Sequence, residues 1–208
     1  MYPELPIQDF LTRLASAAPE PGGGAAAALV GATGAALVSM VANLTIGKEK
    51  FASVQAEMRQ ALAAADGLRV KLLAIVDQDA EAFRRVMTTY RLPRDTDEQK
   101  AARKRAMQAA LRDAAQIPAD VVGLCEELAS WSRVVTDKGN PQVVSDGAVA
   151  ALLADAAAQS AALNVRINLS AIGAPDTTAP VWARVQAHLD AIRTVRDQVV
   201  TMAYERIG

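Results

Sequence analysis

The sequence predicts an all-α protein, a single-domain bundle of long, Ala-rich helices around a central helix of Gly and Ala. No segment alternates apolar and polar residues in the manner of a half-buried strand. Hydrophobic residues make up 51% of the chain but aromatic residues only 4%, so we expect a core of Ala, Leu and Val. At 208 residues the chain suits one large domain, spanning residues 1–208.

The first half of the chain is expected to form three helices. The first covers residues 7–17, and its apolar face is formed by Ile7, Phe10, Leu11 and Leu14. The second covers residues 21–48 and has no charged residue between Glu20 and Lys48. The third is a long helix over residues 53–90 that tolerates Gly67 in its interior.

The second half is expected to form three more helices. Pro93 breaks the chain, and Asp95 or Thr96 can cap a helix over residues 97–135, in which Pro118 produces a kink or a split. The segment DKGNPQ is a strong turn signal, after which a helix runs from Ser145 to about residue 172. The loop GAPDTTAP then precedes a final amphipathic helix over residues 181–206.

Charge and cysteine content argue against several classes of protein. The formal net charge is −1 and the pI is about 5.9, which argues against nucleic acid as a partner. Cys125 is the single cysteine and cannot form an intramolecular disulfide, which suits a reducing compartment. The N-terminus, MYPELPIQDF, lacks the basic and apolar regions of a secretory signal, so we expect a cytoplasmic protein.

The central helix is the segment around which the rest is organised. It is apolar on all sides, so we expect it to be buried on every side. Ser39 and Asn43 are four residues apart and share a face, where buried polar groups need a partner or a ligand. Its length would suit a membrane span, but its low content of Leu, Ile and Phe favours a core helix and no membrane.

Three consecutive glycines, Gly22, Gly23 and Gly24, precede this helix and permit two interpretations. They can form a tight turn into the helix, which is the more common role. They can also expose backbone N–H groups at a helix N-terminus, which is a natural site for an anion. In the second case Gly23 is expected to need a close backbone approach or a positive φ.

Asp79 is the carboxylate with the clearest functional signal. Positions 72, 76, 79, 83 and 86 follow a 4-3-4-3 spacing and form one helix face that is otherwise apolar. Asp77 lies roughly 160° away around the helix, on the expected solvent face. A carboxylate on a buried stripe tends to have a raised pKa and can serve as a general acid or base. The structural alternative is a carboxylate paired with an arginine or capping another helix.

Two amides lie on another apolar face. Asn164 and Asn168 are four residues apart in NVRINL, and Arg166 points the opposite way. They can tie helices together or bind a ligand. In GNPQVVSD, Asn140 belongs to a turn, whereas Ser145 and Asp146 begin a helix, a position at which such residues most often act as caps.

Together these segments resemble one protein family. The block PGGGAAAALVGATGAALVSMVANLTIGK is followed by DQDAEAF, YRLP, KGN, SD and NVRINL. The same order occurs in the family that contains the cyclodeaminase domain of formiminotransferase-cyclodeaminase and the stand-alone methenyltetrahydrofolate cyclohydrolase. The resemblance extends to about Ile172 and weakens in the last helix. It implies an all-helical homodimer, and it places the family's catalytic aspartate at Asp79, the second aspartate of D-x-D-A-x-A-F.

The resemblance implies chemistry on the one-carbon bridge of tetrahydrofolate, with no cofactor beyond this folate substrate. A cyclohydrolase adds water to 5,10-methenyltetrahydrofolate and forms 10-formyltetrahydrofolate. A cyclodeaminase releases ammonia from 5-formiminotetrahydrofolate and forms the methenyl ring. The compact length, without a formiminotransferase domain, favours the cyclohydrolase. The cyclodeaminase is one alternative, and a bundle that binds a folate or a partner protein without turnover is the other.

The resemblance also suggests roles for the residues singled out above. Asp79 is the expected proton shuttle. The amides of Asn43, Asn164 and Asn168 are expected to bind the pterin or orient water. The glycine turn, helped by Lys48, is expected to receive the glutamate tail. The remaining candidate substrate-binding residues are Ser39, Asn140, Ser145 and Asp146. No metal is implied, since His188 is the only histidine and stands alone.

A homodimer is also expected from the composition of the central helix. Helices of Ala and Gly without a solvent face need more cover than one layer of neighbouring helices supplies. We therefore expect residues 21–47 to lie at or near a dimer interface.

Overall fold

The computed structural model describes residues 1–208 and contains six α-helices and no β-strand, so the all-α prediction is confirmed. Short 3-10 turns occur at Tyr2–Glu4, Glu49–Val54 and Pro141–Val143. The helices are α1 (Ile7–Leu14), α2 (Gly23–Asn43), α3 (Gln55–Tyr90), α4 (Asp97–Lys138), α5 (Val144–Ile172) and α6 (Pro175–Ile207).

The helices pack around α2, α4 and α5. Helix α4 contacts α2, α3, α5 and α6, and α2 lies between α3 and α5. Helices α2 and α5 are antiparallel, because Gly23 lies beside Asn164 while Gly34 lies beside Ala150. A Cβ atom at Gly34 would lie 3.2 Å from the carbonyl oxygen of Ala150, so glycine is what lets these two helices approach.

Several helix ends differ from the sequence prediction. Thr96 caps α4 in a capping box with Gln99, as expected. Ser145 does not cap α5, because the preceding 3-10 turn, capped by Asn140, already starts the helix at residue 144. Helix α6 begins at Pro175, six residues earlier than expected. Proline is compatible with the first helical position because the N–H group that it lacks would form no intrahelical hydrogen bond there.

Two surface features also differ from expectation. On α1 only Phe10 of the predicted apolar face is buried, whereas Ile7 and Leu11 are exposed. Helix α2 is not buried on every side, because a stripe that includes Thr33 and Met40 faces outward. Helices α2 and α5 are long and apolar enough to cross a membrane, yet 61% and 50% of their most apolar windows lie buried inside the bundle.

Candidate active site

A cavity of about 410 Å³ opens where the N-terminus of α2 meets α3, α4 and α5. Most of its wall is apolar, and α3 supplies a row of side chains that ends at Tyr90. The polar side chains in the wall are few: Glu20, Asp79, Asn164 and Asn168. The pocket thus has the composition of a small-molecule site, an apolar cleft with a few convergent polar groups.

Asp79 lies against the first turn of α2. A Cβ atom added at Gly24 would lie 2.2 Å from Asp79 Oδ1, so the carboxylate occupies the space that a side chain would fill. The anion at this helix N-terminus is therefore a carboxylate of the chain itself, where the helix dipole favours negative charge. From the sequence we expected this position to bind the glutamate tail of a substrate instead.

The glycine that the turn requires is Gly24, and not Gly23 as the sequence suggested. None of the three glycines has a positive φ. A Cβ atom at Gly23 would meet Asn164 Nδ2 at 3.7 Å, which is an ordinary contact. The requirement arises from the close approach of α3, and a single sequence does not reveal which residue approaches.

Two opposing effects act on the pKa of Asp79. Burial raises the pKa of the Asp79 carboxyl above its ordinary value, because the charged form loses its hydration. A hydrogen bond from the backbone N–H of Ala25 opposes this effect and lowers the pKa, with the smaller influence. A carboxyl group with a raised pKa exchanges protons more readily near neutral pH than an exposed aspartate does.

Asn168 connects the pocket to the proline in α4. Pro118 has no N–H to donate to the carbonyl of Ala114, four residues earlier, yet α4 continues through it without a split. Asn168 Nδ2 donates to this carbonyl at 2.9 Å. The hydrogen bond that the proline removes is thereby replaced, and Asn168 is fixed in the wall of the pocket.

Asn164 lies one turn before Asn168 in the same wall. Its Nδ2 donates to the carbonyl of Ser160 within α5. The carbonyl oxygens of both asparagine side chains remain available to a ligand in the pocket. Arg166 points to the other side of α5, as predicted, and its guanidinium lies over the ring of Trp182.

The two charged residues in the pocket wall are both acidic. Glu20 lies in the wall and pairs with Arg84 at 3.1 Å. No lysine or arginine lines the cavity. A cationic reacting centre therefore suits the interior, whereas an anionic group needs a cation from outside the wall.

The match to known proteins includes this whole pocket. The family model for formiminotransferase-cyclodeaminase matches residues 6–187, a range that contains every residue of the pocket wall. The chain belongs to the formiminotransferase-cyclodeaminase family. It is 51% identical over 162 residues to a methenyltetrahydrofolate cyclohydrolase of Methylorubrum extorquens, and the match covers 78% of each chain.

Other members of the family carry a different name. The chain is 34% identical over 192 residues to a formimidoyltransferase-cyclodeaminase of Sus scrofa, and it spans 35% of that protein. The crystal structure of a formiminotetrahydrofolate cyclodeaminase from Thermotoga maritima superposes with a TM-score of 0.89 at 30% identity, covering 99% of this chain and 98% of that one.

Six of the predicted site residues do not lie in this pocket. Gly23 and Asn43 occupy opposite ends of α2, which are about 30 Å apart along the helix axis. The residues at or beyond the far end are Ser39, Asn43, Lys48, Asn140, Ser145 and Asp146. The prediction that these six residues share a pocket with Asp79 is therefore wrong within a single chain. Helical phase places residues on a face but does not bring the two ends of a helix together.

Two of these residues have structural partners instead. Ser39 Oγ donates to Asp66 Oδ1 at 3.0 Å. The backbone N–H of Asn140 donates to Thr45 Oγ1 at 2.9 Å, and its side chain caps the following 3-10 turn. These bonds satisfy polar groups that burial would otherwise leave without a partner.

Sequence reasoning missed part of the wall. Met87 and Tyr90 continue the helix face of Asp79 and Phe83, so their spacing along α3 could have identified them. Leu111 and Ala114 come from α4, and no local pattern connects them to α3. Neither of the other two reactive side chains, Cys125 and His188, lines this cavity. Burial raises the pKa of Cys125 to about 12, and His188 Nδ1 pairs with Glu126.

Proposed function

We propose that this protein hydrolyses 5,10-methenyltetrahydrofolate to 10-formyltetrahydrofolate. The observation that carries the proposal is the desolvated carboxylate of Asp79 at the base of an apolar pocket. The relative that is 51% identical and named methenyltetrahydrofolate cyclohydrolase supports the same reaction. The methenyl bridge is cationic, and the carboxylate of Asp79, which has no ion-pair partner, favours a cation beside it.

Asp79 has two proton transfers to perform in this reaction. A water molecule attacks the amidinium carbon, a C–O bond forms, and Asp79 accepts one proton from the water. Asp79 then returns that proton to N5 as the bond between the carbon and N5 breaks. The remaining hydroxyl proton leaves as the formyl C=O forms on N10, so the cationic substrate gives a neutral formamide and one proton. A carboxyl group with a raised pKa suits both transfers.

The pocket also suggests an orientation for the substrate. Asn164 and Asn168 lie on the α5 side, where their free carbonyl oxygens can accept from the pterin. The row of α3 side chains leads from Asp79 to Tyr90, a rise of about 16 Å along the helix. Arg103 lies over the Tyr90 ring, and Arg94, Lys100 and Lys104 lie around it. We infer that the glutamate tail extends towards these cations, and not towards Lys48 of the same chain.

A direct assay tests the proposal. Purified protein is mixed with 5,10-methenyltetrahydrofolate, and the loss of the methenyl absorbance is followed against the uncatalysed rate. We expect enzyme-dependent loss and formation of 10-formyltetrahydrofolate. An unchanged rate at saturating substrate would rule out the cyclohydrolase.

A second candidate is the cyclodeaminase. The names of the Sus scrofa relative and of the Thermotoga maritima structure favour it, and one carboxylate can serve both reactions. A second assay distinguishes the two activities. It supplies 5-formiminotetrahydrofolate and measures the release of ammonia together with the rise of methenyl absorbance. Binding of both folates without turnover of either would instead support a non-catalytic binding bundle.

We further propose that the protein acts as a cytoplasmic homodimer. The support is that both of the most apolar helices have an uncovered, uncharged side. On α2 this side includes Ala36 and Met40, and on α5 it includes Leu152, Leu163 and Ile167. Sedimentation at micromolar concentration is expected to give the mass of two chains. A monomer would contradict the proposal.

A further inference from the structure

Glu20 is the charged residue of the pocket wall to which the proton transfers at Asp79 give no role. It stands between Pro19 and Pro21, just before the glycines that begin α2. Its side chain is only 23% exposed. Proline fixes its own φ and restricts the residue before it, so the backbone holds Glu20 in the wall before any ligand binds. A group that is held in place in advance binds its ligand at a lower entropic cost.

The hydrogen-bonding capacity of Glu20 is largely unused. Its Oε2 atom is buried and accepts no hydrogen bond. Arg84 Nε lies 3.1 Å from this oxygen, but its N–H donates to the carbonyl of Ala80. Arg84 therefore balances the charge of Glu20 while leaving its acceptor positions open. A carboxylate can accept about four hydrogen bonds, and a buried acceptor without a donor costs free energy. A ligand that brings N–H groups to Glu20 removes this cost.

The other polar groups of the wall are less suited to bind two neighbouring donors. Asp79 is required at the reacting carbon. Asn164 and Asn168 each present one carbonyl oxygen, since their Nδ2 atoms donate to backbone carbonyls. Glu20 is therefore the remaining wall residue with two coplanar acceptor oxygens. The terminal torsion of a glutamate is broad, so a rotation can turn both oxygens towards the cavity.

The pterin ring has an edge that is complementary to such a carboxylate. Its N3–H and 2-amino groups present two parallel N–H bonds, as a guanidinium does when it pairs with a carboxylate. The two fused rings separate this edge from N5, to which the one-carbon bridge is attached. Glu20 lies four residues before Gly24, so at most about 14 Å of extended chain separates them, and Asp79 lies against Gly24. The two carboxylates are thus close enough for one pterin to reach both.

We propose that Glu20 recognises the pterin of the substrate by accepting hydrogen bonds from its N3–H and 2-amino groups. This contact selects 2-amino-4-oxopteridines and holds N5 and the one-carbon bridge beside Asp79. The asparagine carbonyls of α5 are left to accept from N8–H. The inference rests on the proposed function for the identity of the ring, and it gives Glu20 a role in specificity and none in proton transfer.

A substrate analogue tests the contact directly. In the 2-desamino-2-methyl analogue of 5,10-methenyltetrahydrofolate, a methyl group replaces the amino group. We expect kcat/KM of the wild type to be about 10- to 100-fold lower for the analogue, because one hydrogen bond to a charged group is lost. Glu20→Ala should turn over both substrates with nearly equal kcat/KM. If Glu20→Ala discriminates as strongly as the wild type, the proposal is overturned.

This ratio distinguishes recognition from a structural role of the Glu20–Arg84 pair. Both substrates are measured on the same preparation, so a lower fraction of folded protein affects them equally and cancels. A purely structural Glu20 would lower kcat/KM for both substrates and leave their ratio unchanged. The ratio therefore remains informative even where the variant is less stable than the wild type.

Glu20→Gln provides a second readout. The amide keeps the shape of the side chain but offers one acceptor oxygen and no charge. The edge that it contacts does not react, so KM should rise about 10-fold while kcat stays within about threefold of the wild type. A large fall in kcat at unchanged KM would place Glu20 in the chemistry and would overturn a role in recognition.

Two control variants separate Glu20 from its surroundings. Arg84→Ala breaks the ion pair but keeps the carboxylate, and Arg84 itself does not line the cavity. This variant should keep the preference for the 2-amino substrate. Glu81→Gln removes a glutamate that pairs with Arg85 on the exposed side of α3, outside the pocket wall, and should change neither kcat nor KM. Loss of the preference in Arg84→Ala would show that the ion pair, and not the contact with the ring, sets specificity.

Binding measurements separate this proposal from the proposed function. Titration calorimetry compares tetrahydrofolate with its 2-desamino-2-methyl analogue and requires no turnover. A difference in affinity that Glu20→Ala abolishes would support the recognition of the pterin even if the wild type turned over neither folate. Turnover of the methenyl substrate with a preference that does not depend on Glu20 would overturn the recognition and leave the proposed function in place.

Discussion

The two ends of α2 carry similar sequence signals, but they have different environments in the structure. At the Gly24 end, α3, α4 and α5 converge and build a cavity around the Asp79 carboxylate. At the Asn43 end, Ser39 donates to Asp66, and no cavity is built with Asp79. A polar residue in an apolar helix therefore indicates a partner, but the elements that converge on it decide whether that partner is a ligand or the protein itself.

The largest expected effect is that of Asp79→Asn at the pocket end. The amide keeps the shape of the carboxylate but cannot shuttle a proton, so kcat should fall by about 10²- to 10⁴-fold. Folate binding should change little, and the variant should remain folded. Steady-state kinetics with titration calorimetry check this prediction, and a variant that keeps a tenth or more of kcat would contradict it.

Gly24→Ala should have the next largest effect. The new Cβ atom would lie 2.2 Å from Asp79 Oδ1, so the carboxylate or the helix must move. Displacement of a catalytic group by about 1 Å costs roughly 10²-fold in rate, and the melting temperature should fall as well. Gly23→Ala is the matched control, because its Cβ atom meets nothing closer than 3.7 Å. Equal losses in both variants would show that the turn as a whole, and not the contact with Asp79, is sensitive.

At the other end, Ser39→Ala should affect stability and leave catalysis unchanged. It removes the hydrogen bond to Asp66, which retains its pairing with Arg69. A loss of about 1 kcal/mol in the free energy of unfolding is expected. Chemical denaturation and kcat, measured on the same sample, check both parts. A selective fall in kcat would mean that Ser39 belongs to the site after all.

The stability of the pocket end is expected to depend on pH through Asp79. Burial raises the pKa of Asp79 in the folded state, so protonation stabilises the fold, and this contribution is lost as the pH rises through the raised pKa. Asp79→Asn removes the titration. The melting temperature of this variant relative to wild type should therefore be higher at pH 7 than at pH 4. Calorimetry at both pH values checks the sign, and the opposite order would mean that Asp79 is stabilised as an anion.

The smallest effect is expected for Asp77→Asn, two residues away on the same helix. Asp77 Oδ1 accepts a hydrogen bond from the backbone N–H of Tyr2 at 2.8 Å, and an amide oxygen can accept it too. Activity should be unchanged, and the free energy of unfolding should fall by no more than about 0.5 kcal/mol. Kinetics and denaturation of this variant serve as the control for Asp79→Asn.

Much of the fold could be predicted because its signals are local. The long α3 helix follows from its periodicity, and the Thr96 cap follows from the residue pair Thr96 and Gln99. The position of Asp79 on an apolar seam is also local, since helical phase depends on residue spacing alone. The pocket wall supplied by α4 was not predictable, because Leu111 and Ala114 approach α3 only after the chain has folded.

Local patterns in the sequence are enough to specify the helical class, the apolar central helix and the helix face on which Asp79 lies, because periodicity and capping act over a few residues. The packing of the helices, by contrast, makes Gly24 the glycine with no room for a side chain and lets Asn168 replace the hydrogen bond lost at Pro118. It also separated Lys48 from Asp79 within the chain. These outcomes depend on close contacts between residues distant in sequence, and a pattern along one helix does not specify which residue of another helix it will meet.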